Sequence, residues 1–175
     1  MPVLKNIFYI LIYLSLSVNV LKAENKVSYI DIDYVLKNTL VGKSLLNTLK
    51  KEEESKINKY KLDDENFKKK EQVILAKKNL ISKEEITKEL KSLQLEFRKY
   101  RNEKINEIDK FKLKRNKNIV NFLNLINPII EKYMVDNSIS ILLDKKNVFI
   151  ASKDYEITYN LIELIDNQIK TIEIK

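Results

Sequence analysis

Lys68, Lys69, Lys70, Lys77, Lys78, Lys88 and Lys91 place seven ammonium groups within residues 68–91, and they are the groups here whose spacing offers any chemistry. Cations clustered in that way attract acidic partners and speed their encounter in a salt-dependent manner. The rest of the composition narrows the field. With no His and no Cys, the chain lacks the commonest zinc ligands and the usual base and nucleophile of hydrolases. Its single glycine, Gly42, cannot build a GxGxxG turn or a phosphate-cradling loop. The reading is therefore non-enzymatic, with no catalytic, metal-ligating or cofactor-binding residue and no cofactor. Between residues 50 and 118 there are 22 basic against 14 acidic residues, so the positive charge is concentrated in the middle of the chain. Thirty of the 33 basic residues are Lys, alongside many Ile and Asn, a bias that an AT-rich genome would also produce. Solvated helix faces are the plain alternative to a functional basic surface. Only three arginines, the side chain suited to bidentate base and phosphate contacts, argue against nucleic acid as the partner.

The elements that must carry these lysines are long. One glycine and two prolines in 175 residues leave few breakers, and a third of the chain is charged, which suits exposed helical surface better than a large core. Counting by sevens from Leu46 gives Leu46, Glu53, Tyr60, Phe67, Ile74 and Ile81, one mostly apolar line. The complementary line, Lys50, Ile57, Asp64, Glu71 and Lys78, is mostly polar, so the seam is thin. A second series, Ile86, Leu90, Leu93, Phe97 and Tyr100, slips near Lys104 and resumes at Ile108, Phe111, Arg115, Ile119, Phe122, Ile126, Ile129 and Tyr133, as a coiled-coil stutter does. Between the series, Ser82 and Glu85 have capping-box spacing, which starts a new helix. Two nearly equal legs predict an antiparallel helical hairpin over residues 50–118 with its tip near 79–84.

A hairpin brings residues 24–49 and 119–175 together as one discontinuous body. Residues 26–33 read as a strand through Val27, Tyr29, Ile30 and Ile32, and Gly42 reads as the end of the short helix after it. Pro128 is expected to kink or restart the second long helix, with Asn127 as its cap. Residues 138–143 (Ile139, Ile141, Leu143) and 148–151 (Val148, Ile150) read as two strands of a β-hairpin joined through residues 144–147, followed by a helix capped by Ser152 or Asp154. Three short strands without disulfides bury little apolar surface and leave open edges, so pairing with other copies of the chain is expected. The fold class is α+β, mostly α: a coiled-coil arm on a small β-containing oligomerisation body. Residues 1–23, with Lys5 ahead of a short apolar run and Ala23 at a plausible cleavage position, read as a secretory signal; an uncleaved anchor is the alternative.

This layout resembles the Skp/OmpH family of periplasmic chaperones over essentially the whole mature chain. The resemblance rests on the strand with Asp31, the Val41-Gly42-Lys43 step, Leu142-Leu143-Asp144, and Glu156-Ile157-Thr158. It implies a homotrimer with a shared small β-barrel and three arms around a cavity. It implies a periplasmic location and ATP-independent holding of unfolded outer-membrane proteins, with contact to anionic lipid or lipopolysaccharide as a further partner to which no residue is assigned. A non-enzymatic envelope adaptor that binds one folded partner is the competing reading, and a nucleic-acid-compacting protein is disfavoured by the export signal.

Overall fold

A computed structural model of the protein describes residues 26–172 and residue 174, so the expected signal segment lies outside the described residues. Strand β1 (Lys26–Ile30) leads into helix α1 (Ile32–Asn38), whose first amide hydrogens are capped by Asp31. Asp31 Oδ1 accepts from Tyr34 N at 2.9 Å. The strand expected over residues 26–33 therefore stops at Ile30, and Ile32 opens a helix instead. A cap carboxylate that satisfies an orphan amide outweighs the β preference of the next Ile.

Thr39 ends α1 and caps the next helix, α2 (Leu40–Ala76), through Oγ1, which accepts from Gly42 N at 3.2 Å. Gly42 thus lies in the first turn of α2 rather than at the end of α1. A Cβ there would come within 2.0 Å of the Leu36 carbonyl oxygen, so the α1–α2 corner closes only on glycine. After a 3-10 turn at Lys77–Asn79, Ser82 caps helix α3 (Lys83–Asp136) with the expected capping box: Ser82 Oγ accepts from Glu85 N, and Glu85 Oε2 accepts from Ser82 N. At about 1.5 Å per residue, α2 spans roughly 55 Å and α3 roughly 80 Å.

Helix α3 runs unbroken through Pro128, so the expected restart at Asn127 is absent. Proline removes one amide donor and crowds the carbonyl four residues back. Asn124 and Pro128 are both exposed, which leaves that carbonyl to water, while buried Ile126, Ile129 and Ile130 hold the helix on either side of the defect.

Ser138, with φ of 55°, turns the chain out of α3 into strand β2 (Ile139–Asp144). β2 pairs in parallel with β1, Val27 opposite Ile141 and Tyr29 opposite Leu143, so the whole arm is the crossover of a parallel pair. On the other side of β1, Ile157 N donates to Tyr29 O at 3.0 Å. The expected β-hairpin is not formed: a 3-10 turn at Lys145–Asn147 follows β2, and residues 148–151 leave it without joining a sheet. Among the described residues the free edge of β2 is left unpaired, because a run is a strand only where it lies along an edge, and the 3-10 turn does not bring residues 148–151 back along β2. Ser152 caps a 3-10 turn at Lys153–Tyr155, not the last helix, α4 (Thr158–Gln168), which starts at Ile157 without a side-chain cap.

The core lies where the two ends of the arm meet. Val35, Val41, Leu45, Phe122, Ile126, Leu161 and Ile165 are fully enclosed there, with Ile30, Leu49, Phe111 and Ile139 around them. Ile172 and Ile174 of the carboxy-terminal segment pack against the same cluster.

Candidate interaction surfaces

The residues that carried the family resemblance form one connected corner. Asp31 N donates to Thr158 Oγ1 at 2.9 Å, and Thr158 Oγ1 donates to Glu156 Oε1 at 3.1 Å. Leu40 N donates to Asp166 Oδ1 at 2.7 Å, so α4 also grips the start of α2. Lys145, just past Leu142-Leu143-Asp144, reaches Glu156 at 3.0 Å and Asp31 at 3.8 Å, and Lys146 reaches Asp33 at 2.9 Å. The hydrogen bond from Lys145 holds the Glu156 carboxyl below the usual carboxylate range, and Lys146 does the same for Asp33. The Glu156 carboxylate thus ties the turn after β2, through Lys145, to Thr158 at the start of the last helix.

Of the nine body residues expected to form an oligomerisation surface, Tyr29, Ile30 and Ile139 are buried in the chain's own core, and Ile32 packs against it. Val27, Ile141, Leu143 and Ile150 are exposed, Ile150 at 86%, and Val148 is half-buried. Phe149, which strand alternation did not single out, is fully exposed. Val27 and Ile141 are register partners, so their side chains continue one apolar face. Beyond β2 no further strand closes the sheet among the described residues. A two-stranded sheet with an open edge and a contiguous apolar face has the marks of an interaction site.

The arm is built differently. Its two helices meet through Tyr60, Phe67, Ile74, Ile86, Leu93 and Tyr100, all only half-buried. Between these steps the seam is charged: Glu52 with Lys114 at 2.8 Å, Lys56 with Glu107 at 3.4 Å, Asp64 with Lys104 at 2.9 Å, and Lys77 with Glu89 at 3.0 Å. Glu53 and Arg115, placed in the seam by counting sevens, point to solvent, and Glu52 and Lys114 take their places. Midway along the arm Phe67 packs edge-on against Phe97, with ring centroids 5.1 Å apart, and lies 5.0 Å from Tyr100. Tyr100 donates its hydroxyl to Asp64 Oδ1 at 2.9 Å, and Lys104 lies over the Tyr60 ring at 5.1 Å. Burial pushes the Tyr100 hydroxyl up, helped by the Asp64 charge, while Lys104 holds the Asp64 carboxyl down. At neutral pH the tyrosine is a fixed donor and the aspartate a fixed acceptor. This network positions the helices; it is not poised for proton transfer.

The seven candidate lysines divide. Lys70 pairs with Glu96 and lies over the Phe67 ring, and Lys77 pairs with Glu89, so both clamp α2 to α3. Lys68, Lys69, Lys78, Lys88 and Lys91 are exposed and have no ion-pair partner among the described residues. Sequence reasoning missed Arg101 and Lys104. Their signal was present in the i, i+3 and i, i+4 steps Phe97–Tyr100–Arg101–Lys104, which stack cations on aromatic rings along one helix face. Among the described residues no cluster of acidic side chains is placed to hold a metal ion, and no helix is long and apolar enough to cross a membrane.

Comparison with known proteins gives three findings. No curated protein sequence matches the chain. A crystal structure from Caulobacter crescentus CB15, described as an outer membrane chaperone (OmpH-like), superposes with a TM-score of 0.75 over 84% of this chain and 87% of that one, at 19% identity. That likeness establishes a common fold. The family described as Outer membrane protein (OmpH-like) matches residues 26–165. By that match, which spans most of its length, the chain belongs to the OmpH-like outer membrane protein family.

Proposed function

We propose that this protein is a periplasmic chaperone that holds unfolded outer-membrane proteins without ATP and keeps them from aggregating in transit. The observation that carries the reading is the construction of the arm. It is a helical hairpin whose helices spend few apolar residues on each other and leave both free cations and apolar side chains facing water. Contacts of that kind are weak and adaptable, which suits a chain that must be held without being folded. Membership of the OmpH-like family and the shared fold with an OmpH-like chaperone support it.

In this reading residues 24–49 and 119–175 form the assembly body, residues 50–118 form the arm, and residues 1–23 direct export. Three copies join through the body. The exposed face of Val27, Ile141 and Leu143 and the run at residues 148–151 supply the surface that assembly would cover. Within the body set, Tyr29, Ile30, Ile32 and Ile139 support that surface from inside. Lys68, Lys69, Lys78, Lys88 and Lys91 attract acidic clients, and anionic lipid or lipopolysaccharide is a further partner to which no residue is assigned.

Dilution of a urea-unfolded outer-membrane barrel into buffer, with and without the protein, tests the reading. Suppressed aggregation is the expected result, together with a solution mass of three chains by light scattering. Unchanged aggregation would overturn the chaperone role and return the envelope-adaptor reading. A folded monomer at micromolar concentration would overturn the assembly.

A further inference from the structure

The two flanks of the arm are chemically unlike. Phe67 and Leu93 form a wall with a cleft on either side. One cleft, about 980 Å³, is bordered by Asp63, Glu89, Glu96 and Glu103, with Lys69, Lys70 and Lys99 between them. The other, about 670 Å³, is bordered by Leu90, Phe97, Ile105 and Ile108, with Lys68 and Arg101 at its rim. Phe97, Ile105 and Ile108 are partly or largely exposed, so this apolar row is not consumed by the hairpin's own packing. Heptad steps from Asp64 and Lys68 place exposed Ile57 and Leu75 on the same flank, extending the row at both ends. Within its own cleft the opposite flank shows one large exposed apolar side chain, Val73. The same heptad steps from Lys69 and Val73 add Leu62 and Leu80 at some distance from it, so no row as close-set as Phe97, Ile105 and Ile108 borders that cleft.

Charge sharpens the difference. On the apolar flank Lys104 neutralises Asp64, leaving Glu71 as the remaining acid against Lys68 and Arg101, neither of which has an ion-pair partner among the described residues. Arg101 lies over the Phe97 ring at 6.0 Å, a plane on which a second ring can stack. On the other flank Lys70 neutralises Glu96, Lys77 neutralises Glu89 and Lys99 neutralises Glu103, leaving Asp63 against Lys69 and no net charge. An acidic, apolar segment is therefore attracted to one side and finds neither a net positive charge nor a close-set apolar row on the other.

We infer that the arm binds on one side only: the flank of Phe97, Ile105 and Ile108 takes extended, unfolded polypeptide whose aliphatic or aromatic side chains alternate with carboxylates. The cleft is open and takes a few side chains at a time, as an extended segment laid along the arm presents them. The inference names the client surface of the holdase reading and rests on that reading for its biological role, but the binding is measurable by itself.

The probe is a short fluorescein-labelled peptide of alternating Tyr, Val and Asp, titrated with the full-length mature protein and followed by anisotropy. Ile105→Asp and Ile108→Asp each place a charge in the apolar row and should weaken binding about tenfold or more, as burial of an unpaired carboxylate demands. Arg101→Glu leaves the aliphatic row intact and should weaken binding with a reduced salt dependence. Val73→Asp, on the opposite flank, should bind as the unsubstituted protein does. All four positions are on the surface, and circular dichroism checks that helix content is kept. Equal binding by all variants, or an equal loss in Val73→Asp, would overturn the one-sided surface. The barrel-aggregation assay separates the two claims. If Ile105→Asp still protects the barrel, the flank is wrong and the holdase stands. Peptide binding that Ile105→Asp abolishes, with no protection by the unsubstituted protein, leaves the flank and removes the holdase.

Discussion

Around Phe122 the helices meet through side chains that are fully enclosed, whereas around Phe67 they meet through side chains that remain half wet. Both regions are centred on a phenylalanine in the same helical hairpin. In the body Phe122 is surrounded by three further layers, α1, α4 and the β1–β2 pair, and the cluster runs from Ile30 to Ile174. In the arm Phe67 has only the facing helix, so one ring meets two others and the rest of its surface is covered by lysine stems and water. Two helices cannot enclose a side chain; three or more layers can. The arm replaces enclosure with cross-helix ion pairs, which hold register more than they add stability, because exposed pairs are each worth about 1 kcal/mol or less. The molecule therefore has a stable end and a pliant one.

The largest expected effect lies in the body. Phe122→Ala should cost about 3–5 kcal/mol of stability in urea unfolding followed by circular dichroism, the range for a fully buried aromatic. Gly42→Ala comes next, at about 2–3 kcal/mol, because its Cβ collides with a backbone carbonyl that cannot swing aside. Phe67→Ala should cost about 1–2 kcal/mol. Its loss should appear as faster amide exchange between residues 60 and 104, with the body's protection unchanged. A cost in the arm equal to that of Phe122→Ala would erase the contrast between the two regions.

Acid should separate them as well. The Asp64 carboxyl is held below its ordinary value by Lys104. A lowered folded pKa means that the stabilisation is complete above the unfolded carboxylate value, near 4, and is lost as pH falls through the lower folded value. Amide protection in the arm should therefore be flat between pH 5 and 8, on the order of the usual stability plateau, and fall at about pH 4 and below. Asp64→Asn should reduce that dependence to the part contributed by Glu107, which Lys110 and Lys56 hold down in the same sense. Glu156 is lowered in the same sense by Lys145, so the body's corner should loosen over the same range, damped by the apolar core beneath it. The smallest effect is expected at the tip, where Ser82→Ala should cost about 1 kcal/mol, seen as fraying of the first turn of α3 in hydrogen exchange.

Legibility tracked the range of the interaction. Ser82 and Glu85 act on each other across three residues, and the turn they make was readable without any tertiary information. The same is true of the β preference read over residues 26–33 and 138–143, which the strands Lys26–Ile30 and Ile139–Asp144 meet in most of their length. Counting sevens found Tyr60, Phe67 and Ile74 but misplaced Glu53 and Arg115, because a seam filled by long charged side chains has no apolar marks to count. Residues 148–151 read as a strand because Val, Phe and Ile favour one, yet a strand is a property of a pair. Gly42 read as a terminator for want of the fact that Leu36 O lies against it. Lys70 and Lys77 could not be told from Lys69 and Lys78 until Glu96 and Glu89 were brought opposite them.

The sequence by itself determined that the chain doubles back near Ser82, that its middle is a basic helical arm, and that β-prone pieces flank that arm. These features come from backbone preference, capping and charge, which act over a few residues or not at all through space. Tertiary structure alone decided that β1 pairs in parallel with β2, that Asp31 answers to Thr158 across 127 positions, and that Leu90, Phe97, Ile105 and Ile108 border one cleft beside Phe67. Each of those depends on which distant residues become neighbours, and only the closed body, by bringing the two ends of the arm together, sets that.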